Sequence, residues 1–155
     1  MSFIPAEQID IKAKVAFIER GDFGKEIEKS AGVILSILSQ KELDTLEQNF
    51  ATEADVRNGY LELLRVEDAD KQDGHDDLLK FKAEELNGLA KSNIKALDNA
   101  INESIIGYAF EDDDGEWVAI ELSEHDLELL EKRTTFKRQL RNVFIQEQRA
   151  AIRKN

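Results

Sequence analysis

From Ile9 to Ile18 apolar and polar residues alternate: Ile9, Ile11, Ala13, Val15 and Phe17 take one side, and Asp10, Lys12 and Lys14 the other. A period of two marks a half-buried β-strand. The turn-forming run Arg20-Gly21-Asp22-Phe23-Gly24 follows, and Ile27, Ala31, Val33, Leu35 and Ile37 resume the alternation. An N-terminal β-hairpin is predicted.

The period changes at Ser39. Ser39 and Glu42 have the spacing of a capping box, and Leu38 and Leu43 that of a hydrophobic staple, so a short helix is predicted to start here. Thr52 and Asp55 offer a weaker cap for a second helix carrying Val56, Tyr60, Leu63 and Leu64. Between Glu67 and Asp77 stand six acidic residues with Gly74, and Ala69 is the only apolar side chain, which reads as a mobile surface loop outside any core. Leu78, Phe81, Leu86, Leu89, Ile94, Leu97, Ile101 and Ile105 then recur at helical spacing, predicting one long helix or two with an interruption near Gly88 and Ser92.

Alternation returns at Ile106, Tyr108 and Phe110 and again at Val118, Ile120 and Leu122, on the two sides of Asp112-Asp113-Asp114-Gly115. Asp-Gly between alternating segments predicts a second hairpin with positive φ at both turn positions. Ser123 with Asp126, and Leu122 with Leu127, then repeat the cap and staple pattern at the head of a long C-terminal helix. A break falls at Thr134-Thr135, and the helix carries Leu127, Leu130, Phe136, Leu140, Val143, Phe144 and Ile152. The fold class is α+β: N-terminal β-hairpin, central helices, second β-hairpin and long C-terminal helix, in a single domain over residues 1–155.

The length suits one hydrophobic core. The chain has no cysteine, which excludes disulfides and thiolate chemistry, and no apolar run long enough to span a bilayer or to serve as a signal peptide. A cytoplasmic location follows as an expectation. With 33 acidic against 21 basic residues the net charge is −12, which argues against nucleic acid and anionic membranes as partners. The charge is uneven: residues 132–155 hold eight basic side chains against Glu147 alone, about +7, leaving about −19 elsewhere. That basic segment reads as a solvated helix face or as a docking surface for an acidic partner.

Catalytic and metal motifs are weak. His75 and His125 stand singly, without the spacing of zinc ligands. Asp112, Asp114, Gly115 and Glu121 echo part of an EF-hand loop, but Phe110 takes its first ligand position and strands flank it; around Gly74, Ala69 and Lys71 fall where carboxylates are needed. The glycines of Gly21–Gly24 lack a following Lys-Ser/Thr, and no nucleophile elbow occurs. No catalytic residue, cofactor or metal is assigned, and a non-enzymatic protein is expected. Trp117, beside the acidic turn and opposite in face to Val118 and Ile120, is a candidate partner anchor or a cover for its own hairpin.

Two segments resemble a known family. Val33-Ile-Leu-Ser-Ile-Leu-Ser-Gln-Lys-Glu-Leu-Asp-Thr-Leu46 is a strand running into a Leu-Ser-x-x-Glu-Leu helix start. Ile106-Gly-Tyr-Ala-Phe, Glu111-Asp-Asp-Asp-Gly-Glu and Glu121-Leu-Ser-Glu-His-Asp-Leu lead into a helix that ends at Arg153-Lys-Asn155. Together they resemble the tail assembly chaperones of long-tailed bacteriophages. Tyr108 stands where the family often has tryptophan, and Val118-Ala119 where it has proline. The resemblance implies a cytoplasmic, non-enzymatic protein that escorts the tape-measure protein or tail-tube subunits, often with self-association. On that reading the partner surface includes Trp117, Phe136, Phe144 and Tyr108. The alternative is an acidic inhibitor or DNA mimic, in which Glu67–Asp77 and Glu111–Asp114 imitate phosphates and bind a basic host protein. A small enzyme with convergent carboxylates is a third reading.

Overall fold

In a computed structural model that describes residues 10–154, the alternating N-terminal segment forms two 11-residue strands, β1 (Asp10–Arg20) and β2 (Glu26–Ser36), paired antiparallel from Asp10↔Ser36 to Arg20↔Glu26. Ile9 lies outside the described residues. The turn between them is a short 3-10 segment, Asp22–Gly24, in which Phe23 and Gly24 both adopt positive φ (60° and 72°) and the Gly21 amide donates to the Lys25 carbonyl at 2.7 Å. β3 (Ile105–Glu111) joins β2, and β4 (Trp117–Ile120) joins β3, giving an antiparallel sheet in the order β1-β2-β3-β4. A β-bulge at Ile34/Leu35 shifts the β2–β3 register.

Between β2 and β3 the chain makes two long helices, α1 (Gln40–Leu64) and α2 (His75–Ser104). The capping box at the start of α1 forms as expected. Ser39 Oγ accepts from the Glu42 amide at 3.1 Å, and Glu42 Oε1 accepts from the Ser39 amide at 3.4 Å. The second cap does not form. Thr52 Oγ1 donates back to the Gln48 carbonyl at 3.0 Å, an i−4 bond made inside a continuous helix, so one 25-residue helix replaces the two short ones expected. α2 likewise runs unbroken through Gly88 and Ser92. The acidic connection holds a 3-10 turn, Asp68–Asp70, with Lys71 paired to Asp68 at 2.9 Å, and α2 begins at His75.

α3 (Glu124–Glu131) is capped as predicted, with Ser123 Oγ accepting from the Asp126 amide at 3.1 Å; after Lys132 and Arg133 the chain turns into α4 (Thr134–Lys154). The described residues divide into two compact units, residues 10–43 with 100–154, and residues 44–99.

The core of the sheet unit lies between one face of the sheet and α4. Ile11, Ala13, Val15 and Phe17 of β1, with Val33 and Leu35 of β2, are buried against Phe136, Leu140, Phe144 and Ala151, a stripe at helical spacing along α4. Gln148 lies on the same stripe and is fully buried. Its side chain accepts from the Leu38 amide and donates to the Ser36 carbonyl, both at 2.9 Å, satisfying backbone groups where β2 ends. In the 44–99 unit Leu46, Glu53, Asn93 and Leu97 are buried. Asn93 Nδ2 donates to the Asn49 carbonyl at 2.9 Å and to Glu53 Oε1 at 3.0 Å, while Arg57 pairs with Glu53 at 2.5 Å, so a polar cluster ties α1 to α2.

Candidate protein-binding site

Strand parity sorts the residues of the second hairpin. In an antiparallel ladder directly paired residues point to the same face. Val33, Tyr108 and Ile120 therefore share the face that α4 partly covers, as do Phe110 and its partner Val118. Trp117 pairs with Glu111 and lies on the other face. There its indole crosses Gly32 and Ala109, both buried; a Cβ on Gly32 would collide with the ring and with the Ala109 carbonyl. Lys14 approaches Glu111 at 3.7 Å on this outer face.

On the inner face α3 leaves an open groove of about 300 Å³. The sheet side is Ala31, Tyr108, Phe110 and Ile120; the helix side is Leu122, Leu129 and Leu130. Phe110 is 47% and Leu129 41% exposed, and Val118 beside Phe110 is 40% exposed, so apolar surface continues out of the groove towards solvent.

A charged cluster closes one end. Lys29 Nζ lies 2.5 Å from Glu19, Arg133 pairs with the same carboxylate, and the Arg133 guanidinium sits 5.9 Å from the centroid of the Phe17 ring. Phe17 in turn meets Phe136 edge to face, with centroids 5.5 Å apart. Lys29 and Arg133 hold the Glu19 carboxyl below the usual carboxylate range, against a smaller opposing effect of burial.

Of the residues expected to meet a partner, Tyr108 lines the groove. Trp117 is half-buried on the opposite face, so the two aromatics do not converge. Phe136 and Phe144, expected on the partner surface, are instead 4% and 0% exposed, because they lie on the stripe of α4 that packs against β1. Phe110, Leu129, Lys29 and Arg133 were missed. Phe110 had a signal in its strand parity with Tyr108, whereas Leu129 and Arg133 are brought to the groove by tertiary packing.

No family model, curated protein or solved structure matches this chain. The geometry itself therefore carries the functional argument. An open, mostly apolar groove rimmed by exposed aromatic and aliphatic side chains suits a protein segment better than a small molecule, which would be largely enclosed. The acidic turn has an internal task. Asp112 Oδ1 accepts from the amides of Asp114 (3.0 Å) and Glu116 (2.9 Å), and within this turn only Gly115 takes positive φ, which corrects the expectation of two such positions. Among the described residues no group of three or more acidic or histidine side chains is arranged to hold a metal ion, and no helix is long and apolar enough to cross a membrane.

Proposed function

We propose that the protein is a non-enzymatic binding protein that receives an apolar segment of another protein in the groove between α3 and the β3–β4 face, acting as a chaperone of phage tail assembly. The observation that carries the binding reading is the continuous run of accessible apolar side chains, Tyr108, Phe110, Val118 and Leu129, at one end of a packed sheet. The tail-assembly assignment rests on the resemblance of the segments Val33–Leu46 and Ile106–Leu130, with the tape-measure protein or tail-tube subunits as the partners it implies.

The test is affinity capture of the tagged full chain from phage-infected or lysogen-induced cells, comparing the native sequence with Phe110→Ser and Leu129→Ser. A tape-measure or tail-tube protein should remain bound through a salt wash on the native chain and be lost from the variants, while circular dichroism and melting temperature stay unchanged. Apolar burial is insensitive to salt in a way that charge pairing is not. Capture of a basic host nucleic-acid-binding protein that elutes in salt would overturn the chaperone reading and support phosphate mimicry by the acidic segments.

A further inference from the structure

The two edges of the sheet differ. β1 carries Asp10, Lys12, Lys14, Glu19 and Arg20 along its length, charges of the kind that blunt strand addition. β4 is the other edge, and its four residues Trp117, Val118, Ala119 and Ile120 carry no charge and no proline. Among the described residues it pairs in the sheet with β3 alone. Val118 and Ala119 are exposed. Such an edge offers a row of backbone donors and acceptors to an added strand.

Charge selects what can be added. From Glu111 to Glu131 the chain holds ten acidic residues and no lysine or arginine, and Glu116 and Glu121 bracket β4 directly. A second copy pairing its own β4 antiparallel would set Glu116 near Glu121 of the other copy and bring two such acidic segments together, a destabilising arrangement. A strand with basic flanks meets the opposite condition.

We propose that the β4 edge accepts, as a fifth strand, an extended segment of a partner protein whose alternating apolar residues are flanked by lysine or arginine. Backbone hydrogen bonds supply the attachment. Side chains on one face of the added strand extend the apolar rim at Val118 and the groove, and the flanking cations meet Glu116 and Glu121. This deepens the partner-binding reading and rests on it.

The test uses the full chain and a synthetic peptide, acetyl-Lys-Lys-Val-Thr-Val-Thr-Val-Lys-Lys-amide. Trp117 is the only tryptophan, so its emission reports on β4 directly. Expected are a saturable emission change weakened by salt, and hydrogen exchange slowed by about tenfold or more at alternate amides within residues 117–120. A peptide N-methylated at alternate residues, and the surface variant Val118→Lys with the unmethylated peptide, should each bind about tenfold more weakly or worse. Equal binding by the N-methylated peptide, protection confined to other elements, or no saturable change up to millimolar peptide would overturn the inference. So would a peptide-free dimer in sedimentation velocity with its β4 amides protected. Tail proteins captured by the native chain with β4 unprotected by peptide would sink the edge inference alone; peptide on the edge with Phe110→Ser capturing normally would sink the groove reading alone.

Discussion

Gly32 shows how much one atom matters here. Its missing Cβ is the space that the Trp117 ring occupies, with the Ala109 carbonyl close on the same side. Gly32→Ala should lower stability by about 1–3 kcal/mol in urea unfolding, the usual cost of overpacking, and shift tryptophan emission to longer wavelength as the ring is displaced. Gln148 is the counterpart among polar residues, fully buried and bonded to both Leu38 and Ser36. Gln148→Leu keeps the volume but strands a buried amide and a carbonyl, and a loss of about 2 kcal/mol is expected from the same measurement. Glu19 contributes a pH dependence. Its folded-state pKa is lowered, chiefly by Lys29 and then by Arg133, so the stabilisation is fully present above the ordinary glutamate range and is lost as pH falls through the lowered value. In Glu19→Gln the fall in melting temperature on acidification below about pH 4.3 should be shallower than in the native chain.

At the scale of elements, helix starts proved more legible than helix lengths. Ser39-x-x-Glu42 and Ser123-x-x-Asp126 both place a hydroxyl where the first free amides of a helix need an acceptor, and both caps form. Ser39→Ala should cost about 1 kcal/mol in thermal or urea unfolding. Thr52-x-x-Asp55 has a similar spacing and caps nothing, because the chain before it is already helical and the hydroxyl finds the Gln48 carbonyl. A cap motif is therefore informative where the preceding residues are extended, as at Ser36 and Ile120, and not within a helical run. The same holds for Gly88: one glycine weakens a helix by about 1 kcal/mol, too little to end one supported on both sides.

Over the whole molecule, burial is uneven. The sheet unit buries complete apolar faces of β1, β2 and α4, whereas residues 44–99 bury Leu46 and Leu97 around the Glu53–Asn93 pair and leave Leu61, Leu64, Leu78, Phe81 and Ile94 exposed. Few buried apolar contacts mean a small free energy of local opening. Amides of residues 60–90 should exchange well before those of β1 and β2 in native-state hydrogen exchange monitored by NMR, and uniform protection across the two units would contradict this.

The sequence alone determined the periodicities, and with them both hairpins, the two forming caps and the α+β class, because strand and helix spacing and cap chemistry are local properties of a few neighbouring residues. Tyr108 entered as a candidate through the family resemblance, and strand parity places it on the inner face of the sheet. Tertiary structure decided which apolar residues remain accessible. Phe136 and Phe144 share the composition of an exposed anchor and differ from Phe110 only in what packs against them: α4 lays its stripe on β1, while the outer end of the β3–β4 face stays partly uncovered beside α3. It also decided the pairing of Glu19 with Arg133, since those two residues are far apart in the chain and no local spacing encodes their contact, whereas Lys29 faces Glu19 across the same hairpin.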